Sequence, residues 1–251
     1  MSKISRSQLK ARRQQQNALQ RRSALIAILS GVGILVLVII ISVVYQNFQN
    51  SQPITDIKQG ENPAFPARRD GTAFGDPNAP IKIEVFIDFQ CPACRDFTNS
   101  TEAQIFTDMK DLIETGKVYY HVKMFPFIDQ NAATKESHQA ANAAMCADEQ
   151  GFFWEMHNAL FANWQSENAG AFSDRRLKAI AQSINLDMNK WQPCFDANTY
   201  RGEIDKDYAE GVSKGVNGTP SVFINGEIQT PGYIPSIDQI KTKVDSLLSG
   251  S

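Results

Sequence analysis

Residues 80–97 read PIKIEVFIDFQCPACRDF, and the first half of that stretch decides the architecture. Ile81, Ile83, Val85, Phe86, Ile87 and Phe89 form a β-branched and aromatic run. Its apolar character is nearly continuous, as a strand buried on both faces of a sheet requires. Cys91-Pro92 follows at once, and the spacing of Phe97, Ile105, Met109 and Leu112 up to Gly116 predicts a helix with glycine as its stop. The first cysteine thus falls at a strand-to-helix junction. Free backbone N–H groups and partial positive charge at a helix N-terminus stabilise a thiolate there and lower its pKa. Cys94 lies three residues on, about one turn along the same face, within disulfide reach and less exposed. That division gives Cys91 the attacking or attacked role in a mixed disulfide and Cys94 the resolving role. Pro92 suits the first helical turn, where its missing N–H costs nothing.

Downstream, 118–125 (VYYHVKMF) reads as a second strand and is followed by a long helical stretch. Helices are expected at 134–148, 152–164, 174–184 with Ser173 as N-cap, 188–197 with Asp187 as N-cap, and 200–214. The texture then reverts. Strands at 221–224 and 227–230 flank Asn225-Gly226, a strong hairpin signal, and 236–248 closes as an amphipathic helix. The order β-α-β, helical block, β-β-α is a split α/β domain with an insertion at about 129–214.

Upstream the chain changes character. Residues 1–23 hold seven basic residues, and no acidic residue appears until Asp56. Residues 24–44 (ALIAILSGVGILVLVIIISVV) carry no charge over 21 positions, a length that spans roughly 30 Å as a helix, one bilayer core. The run ends in Val43-Val44-Tyr45-Gln46 without a small-residue cleavage pattern, which favours a retained anchor over 24–45 rather than a cleaved signal. The basic flank reads as a cytoplasmic topology signal, with lipid contact accompanying it. Everything after Tyr45 is then placed outside the cytoplasm, in the periplasm or at the cell exterior. Residues 46–78, rich in Gln, Asn, Pro and Gly, read as a flexible linker, and 79–251 as the folded domain. Beyond residue 23 there are 18 Lys and Arg against 27 Asp and Glu, a formal charge of −9. That balance argues against nucleic-acid binding.

Cys-x-x-Cys spacing serves several chemistries. Covalent haem attachment needs histidine directly after the second cysteine, and residue 95 is arginine. Zinc needs two further ligands, and Cys146 and Cys194 stand 48 positions apart with no histidine at ligand spacing. No cofactor or metal is expected. Cys146 and Cys194 both fall in the insertion and are expected to pair as a structural disulfide, which would stabilise by about 4 kcal/mol on the chain-entropy model. Two buried free thiols, or a second redox pair, remain open alternatives. Phe152, Phe153, Trp154, His157, Leu160 and Phe161 have helical spacing and read as the packing core of the insertion, with His157 a packing histidine. His121 and His138 carry no functional reading.

The segments IEVFIDFQCPACRDF, FFWEMHNALF and VNGTPSVFINGE, in that order, resemble the DsbA-like thiol-disulfide oxidoreductases of the thioredoxin superfamily, in their membrane-anchored extracytoplasmic branch. The resemblance spans nearly all of 79–251. It implies a thioredoxin fold, a central mixed β-sheet flanked by helices with a helical insertion, here preceded by a single transmembrane helix. It also implies that Thr219-Pro220 is a cis peptide with Pro220 opposite Cys91, the backbone near Thr219 pairing with substrate, and Pro92 and Ala93 shaping the active site. The implied activity is disulfide donation to unfolded or partly folded exported proteins, with a DsbB-like or VKOR-like membrane reoxidant and a monomeric catalytic domain. A reductase or isomerase, for instance in cytochrome maturation, is the alternative direction, and a tethered binding module with structural cysteines is the non-enzymatic one.

Two positions depart from the family pattern. A buried carboxylate often lies six residues before the first cysteine, and here that residue is Val85. Glu84 and Asp88 share the other face by alternation and are read as structural or weakly assisting. Between the cysteines stands Pro92-Ala93 where the best-known member has Pro-His, which predicts a milder oxidant than that relative.

Overall fold

The computed structural model describes Arg22 and residues 29–48 and 52–250. It divides into two units, Met1–Pro53 and Ile54–Ser251. Within the first, α1 (Leu29–Phe48) is a 20-residue helix, long and apolar enough to cross a membrane. It runs three residues past the expected end at Tyr45. The basic residues Lys3 to Arg21 and the start of the apolar run, 24–28, lie outside the described residues.

In the second unit, β1 (Arg69–Asp70) and β2 (Ala73–Phe74) precede the central strand β3 (Ile81–Ile87). The helical stretch after Cys91 follows in pieces: α2 (Pro92–Phe97), a π-turn at Thr98–Glu102, α3 (Ala103–Asp108) and α4 (Lys110–Glu114). Then come β4 (Val118–Met124), a 3-10 turn at Ile128–Asn131, α5 (Glu136–Asp148), α6 (Phe153–Ala162), α7 (Asp174–Ser183), α8 (Met188–Asp196) and α9 (Arg201–Ser213). Strands β5 (Ser221–Ile224) and β6 (Glu227–Gln229) and helix α10 (Ile237–Ser249) close the chain. The sheet order is β1-β2-β4-β3-β5-β6, with β3 parallel to β4 from Ile81↔Val118 to Ile87↔Met124 and antiparallel to β5 from Ile83↔Ile224 to Phe86↔Ser221.

The faces of β3 are unequal. Ile81, Ile83, Val85 and Ile87 enter the main core with Phe97, Ile105, Tyr120 and Val244. On the other face Lys82 is exposed and Glu84 half-buried, and only Phe86 is sealed, against Phe125, Val216 and Phe223. Glu84 receives Lys214 at 2.7 Å, and Lys123 joins it and Glu210 from β4. Helix α9 comes close to this face at Gly211, where a Cβ would meet the Phe125 ring at 2.7 Å.

Two expectations need correction. The helix foreseen from Cys91 to Gly116 is not continuous, because a wide π-turn follows Phe97 and Met109 leaves helical geometry with φ −111° and ψ 9°. The expected flexible linker over 46–78 is in large part folded structure. Asp56 pairs with Arg176, and Lys58 N–H and C=O bond both ends of the Asn163 amide. The Phe65 ring stacks on Phe74 at 5.7 Å, and Phe74 stacks on Trp154 at 4.5 Å with no exposed surface. The globular unit therefore begins near Ile54 rather than Ala79, and β1-β2 extends the sheet beyond β4.

Candidate active site

Strand β3 ends at Ile87, and three residues of turn carry the chain to Cys91, which occupies the N-cap of α2 in an extended conformation with Pro92 at the first helical position. Cys91 keeps 9% of its surface, whereas Cys94 keeps none. The Cys91 thiol donates to the Thr219 carbonyl at 3.1 Å, and the Asp88 N–H donates to the Cys94 sulfur at 3.5 Å. The Cys91 pKa falls to about 6: the Cys94 thiol donates to its sulfur, burial opposes, and the Thr219 side chain and the N–H groups of Cys94 and Ala93 add to the lowering. Burial pushes the Cys94 thiol well up, and a charged Cys91 beside it pushes further. These opposite displacements leave one thiol readily ionised and its neighbour held protonated.

Thr219-Pro220 is cis, and its loop lies against Cys91 through the Thr219 carbonyl. The Thr219 hydroxyl is buried without a partner of ordinary hydrogen-bond length. Ala93 packs on the core, while Pro92 is exposed. The other cysteines lie apart. Cys146 on α5 and Cys194 on α8 are joined by a disulfide with a Cα–Cα distance of 5.8 Å. Among the described residues no three His, Cys, Asp or Glu side chains converge as a metal set.

Residues around the cysteines that the sequence did not single out hold them in place. Gln90 donates through Nε2 to Ser137 Oγ at 2.8 Å and to Asp129, and accepts from Asn168 N–H at 2.7 Å through Oε1. Its carbonyl accepts from the Trp164 indole at 2.6 Å, and the Arg95 guanidinium lies 4.3 Å over the Trp164 ring. The helical insertion thus grips the residue before Cys91.

The alternation argument for Asp88 fails because the strand ends one residue earlier. Glu84 sits in the lysine cluster, whereas Asp88 is buried and accepts from Gln90 N–H at 2.8 Å and Ile128 N–H at 2.9 Å. Burial raises its pKa to about 7 against those donors. Another buried carboxylate, Glu102, comes from the π-turn and accepts from the Tyr120 hydroxyl at 2.5 Å. His157, expected as a packing residue, is packed edge-on against Phe161 and Phe89 but also places Nε2 3.7 Å from Glu102. His138 pairs with Asp129 at 2.8 Å, and burial lowers the His121 pKa to about 4. A helix offset by a π-turn is the signal sequence periodicity could not supply for Glu102.

Comparison with known proteins agrees with this architecture. A family model described as Thioredoxin matches residues 68–243. The probable disulfide bond formation protein D of Bacillus cereus is 25% identical over 197 residues, covering 78% of this chain and 86% of the relative. The oxidised crystal structure of BdbD from Bacillus subtilis superposes with a TM-score of 0.61 at 22% identity, over 75% of this chain and 100% of that one. Wolbachia pipientis alpha-DsbA1 gives 0.58 at 22% identity, over 80% and 96%. A thioredoxin sheet with a helical insertion, a family match over residues 68–243 and relatives named for disulfide bond formation lead to one assignment: the chain belongs to the thioredoxin family, as a thiol-disulfide oxidoreductase whose fold is similar to that of DsbA and BdbD.

Proposed function

We propose that Cys91 and Cys94 are the redox pair and that the chain donates disulfides to exported proteins. The observation that carries this reading is the split between Cys91, partly exposed at the helix N-cap with a pKa of about 6, and a sealed Cys94 displaced the other way. A substrate thiolate attacks the Cys91 sulfur of the oxidised pair, forming a mixed disulfide as Cys94 leaves. A second substrate thiolate then attacks the substrate sulfur, forming the new disulfide and expelling Cys91. A low-pKa thiolate leaves readily and stabilises the reduced enzyme, so the equilibrium favours passing the disulfide on. The names of the Bacillus relatives, which refer to disulfide bond formation, support the same direction. The Thr219 carbonyl and Pro220 form the wall beside Cys91 on which an extended substrate segment would lie, with Pro92 and Ala93 at its rim. The disulfide between Cys146 and Cys194 has a structural role, tying α5 to α8.

Helix α1 anchors the protein, with the basic segment on the cytoplasmic side and the domain from Ile54 onward outside. A membrane partner that accepts the electron pair from reduced Cys91 and Cys94 completes the cycle. Equilibration of the full-length chain with glutathione buffers tests the direction. A potential more oxidising than the surrounding thiol pool is expected. A potential well below it would reverse the reading to a reductase, and unaltered disulfide exchange in Cys91→Ser would remove the pair from the chemistry altogether.

A further inference from the structure

We propose that Asn217 is a site of spontaneous covalent modification: its side chain closes onto the Gly218 nitrogen with loss of ammonia, and the acidic residue left there weakens the cysteine pair as a disulfide donor. The modification stands on the structure of the loop alone, and its effect on exchange rests on the reading of Cys91 and Cys94 as the redox pair. The starting point is the run Asn217-Gly218-Thr219-Pro220, which sets an Asn-Gly step directly before the cis peptide. Glycine after asparagine favours ring closure, because without a Cβ its nitrogen is unhindered and its backbone is free to turn.

The chain holds two Asn-Gly steps and treats them differently. Asn225, in the β5-β6 hairpin, is locked: its Oδ1 accepts from Lys82 N–H at 2.8 Å, its Nδ2 donates to the Pro80 carbonyl at 3.1 Å, and its own N–H donates to the Lys82 carbonyl at 2.9 Å. Asn217 has none of this. It is exposed, lies outside every helix and strand, and neither its side-chain amide nor its N–H makes a hydrogen bond among the described residues. The Gly218 N–H likewise has no partner there, and a Cβ at Gly218 would meet no atom within 4 Å. The bend hangs between two fixed points. On one side Val216 is buried with Phe86, Phe125 and Phe223, and its N–H donates to the Gly211 carbonyl at 2.9 Å. On the other, the Ser221 hydroxyl donates to the Gly218 carbonyl at 2.8 Å. The amide and the nitrogen it must meet are therefore the unrestrained part of a loop whose ends are held.

The step balances with water as the only co-reactant, and nothing is oxidised or reduced. The Gly218 nitrogen gives its proton to solvent and bonds to Asn217 Cγ, while the Cγ–Nδ2 bond breaks and Nδ2 takes a proton back and leaves as ammonia. Water then opens the cyclic imide. Opening at Cγ gives aspartate with the main chain unaltered. Opening at the main-chain carbonyl carbon turns that carbon into a free carboxylate and leaves the chain running through Cβ and Cγ, one methylene longer.

Either product matters because of what lies two residues on. The Thr219 carbonyl accepts from the Cys91 thiol at 3.1 Å. The Cys91 pKa of about 6 rests first on the Cys94 thiol and then, against burial, on the Thr219 side chain. Both products put a carboxylate where a neutral amide stood, and a negative charge near a thiol disfavours its thiolate. The lengthened chain must also take up an extra methylene between buried Val216 and Thr219, which displaces the Thr219 groups from Cys91. The two effects act in the same sense: the reduced pair loses stabilisation, and the altered protein passes its disulfide on less readily.

The experiment holds the full-length protein in detergent at about pH 8 in heavy-oxygen water and follows its peptides by mass spectrometry, with Gly218→Ala, Asn217→Gln and Asn217→Asp beside the unaltered chain. Asn217 should take up heavy oxygen at least about tenfold faster than Asn225 in the same sample, because closure at Asn225 waits on the opening of three hydrogen bonds. Gly218→Ala, whose methyl meets open space, should slow conversion at Asn217 and leave Asn225 unchanged. The pH midpoint of Cys91 alkylation in the reduced protein should rise by about half a unit or more in the converted chain and in Asn217→Asp, roughly a threefold change in ionisation. Asn217→Gln held for the same time should keep its starting midpoint. Equal conversion of the two asparagines, a converted chain with an unmoved Cys91 midpoint, or an equal drift in Asn217→Gln would overturn the proposal. Disulfide exchange surviving in Cys91→Ser would instead overturn the redox pair, leaving the modification of Asn217 in place without its effect on exchange.

Discussion

Moving the pH across the Cys91 titration should bend the reduction potential of the pair at about pH 6. With a pKa of about 6 against an ordinary value of 9.0, Cys91 is roughly 90% thiolate at pH 7, where an unperturbed thiol is about 1% ionised. That difference stabilises the reduced protein by ~1.4 kcal/mol at pH 7, equivalent to about 30 mV, and by about 4 kcal/mol above pH 9. Below the Cys91 pKa the two-electron reduction takes up two protons and the potential falls by roughly 59 mV per pH unit. Above it only Cys94 takes a proton, and the slope halves to roughly 30 mV. The sign for folding follows from the same group. A depressed thiol stabilises the reduced fold above its unfolded value and loses that contribution as pH falls through about 6, while the oxidised fold has no such dependence from Cys91. The assay is equilibration in redox buffers from pH 5 to 8, read by alkylation and gel shift, with thiolate absorbance at 240 nm followed in parallel. An unbroken slope over that range, or an absorbance midpoint near 9, would refute the account of Cys91.

Truncating Phe74→Ala should cost about 3–5 kcal/mol in denaturant unfolding, because the ring is sealed between Trp154 and Phe106; a loss below 1 kcal/mol would mean that residues before Ala79 are dispensable. Gly211→Ala should cost about 1–3 kcal/mol by forcing a methyl against the Phe125 and Phe86 rings, visible as a lowered urea midpoint at unchanged slope. Replacing both Cys146 and Cys194 by Ala removes a link across 48 positions and should cost about 4 kcal/mol while leaving the potential of Cys91 and Cys94 unmoved; a shifted potential would show the two pairs to be coupled.

Much of the fold was legible because local signals and tertiary demands agree. The apolar run into Cys91-Pro92 and the Asn225-Gly226 turn, with both residues at positive φ, specify β3, α2 and the β5-β6 hairpin. Helix ends came within a few residues where caps exist, as at Asp187, whose carboxylate accepts from Asn189 N–H, and at Ser236, which forms a capping box with Gln239. What escaped was structure without local periodicity. Strands β1 and β2 have two residues each, and Phe65 and Phe74 sit in Pro- and Gly-rich text that reads as linker. At the site the cysteine spacing was plain, but the surroundings of Glu102 depend on a single extra residue in a helical turn. The burial of Asp88 depends on where a strand stops, and alternation cannot report that.

The grip on Gln90 has a consequence for how this protein can change. One residue takes a contact from the 3-10 turn, one from α5 and two from the loop after α6, and the next residue in the chain is Cys91. The insertion is therefore not a detachable module whose loops vary at will: a length change near Trp164 or Asn168 is felt at the reactive sulfur. Chimeras that exchange insertions between relatives would have to carry Gln90 and its four partners together as a single unit of inheritance.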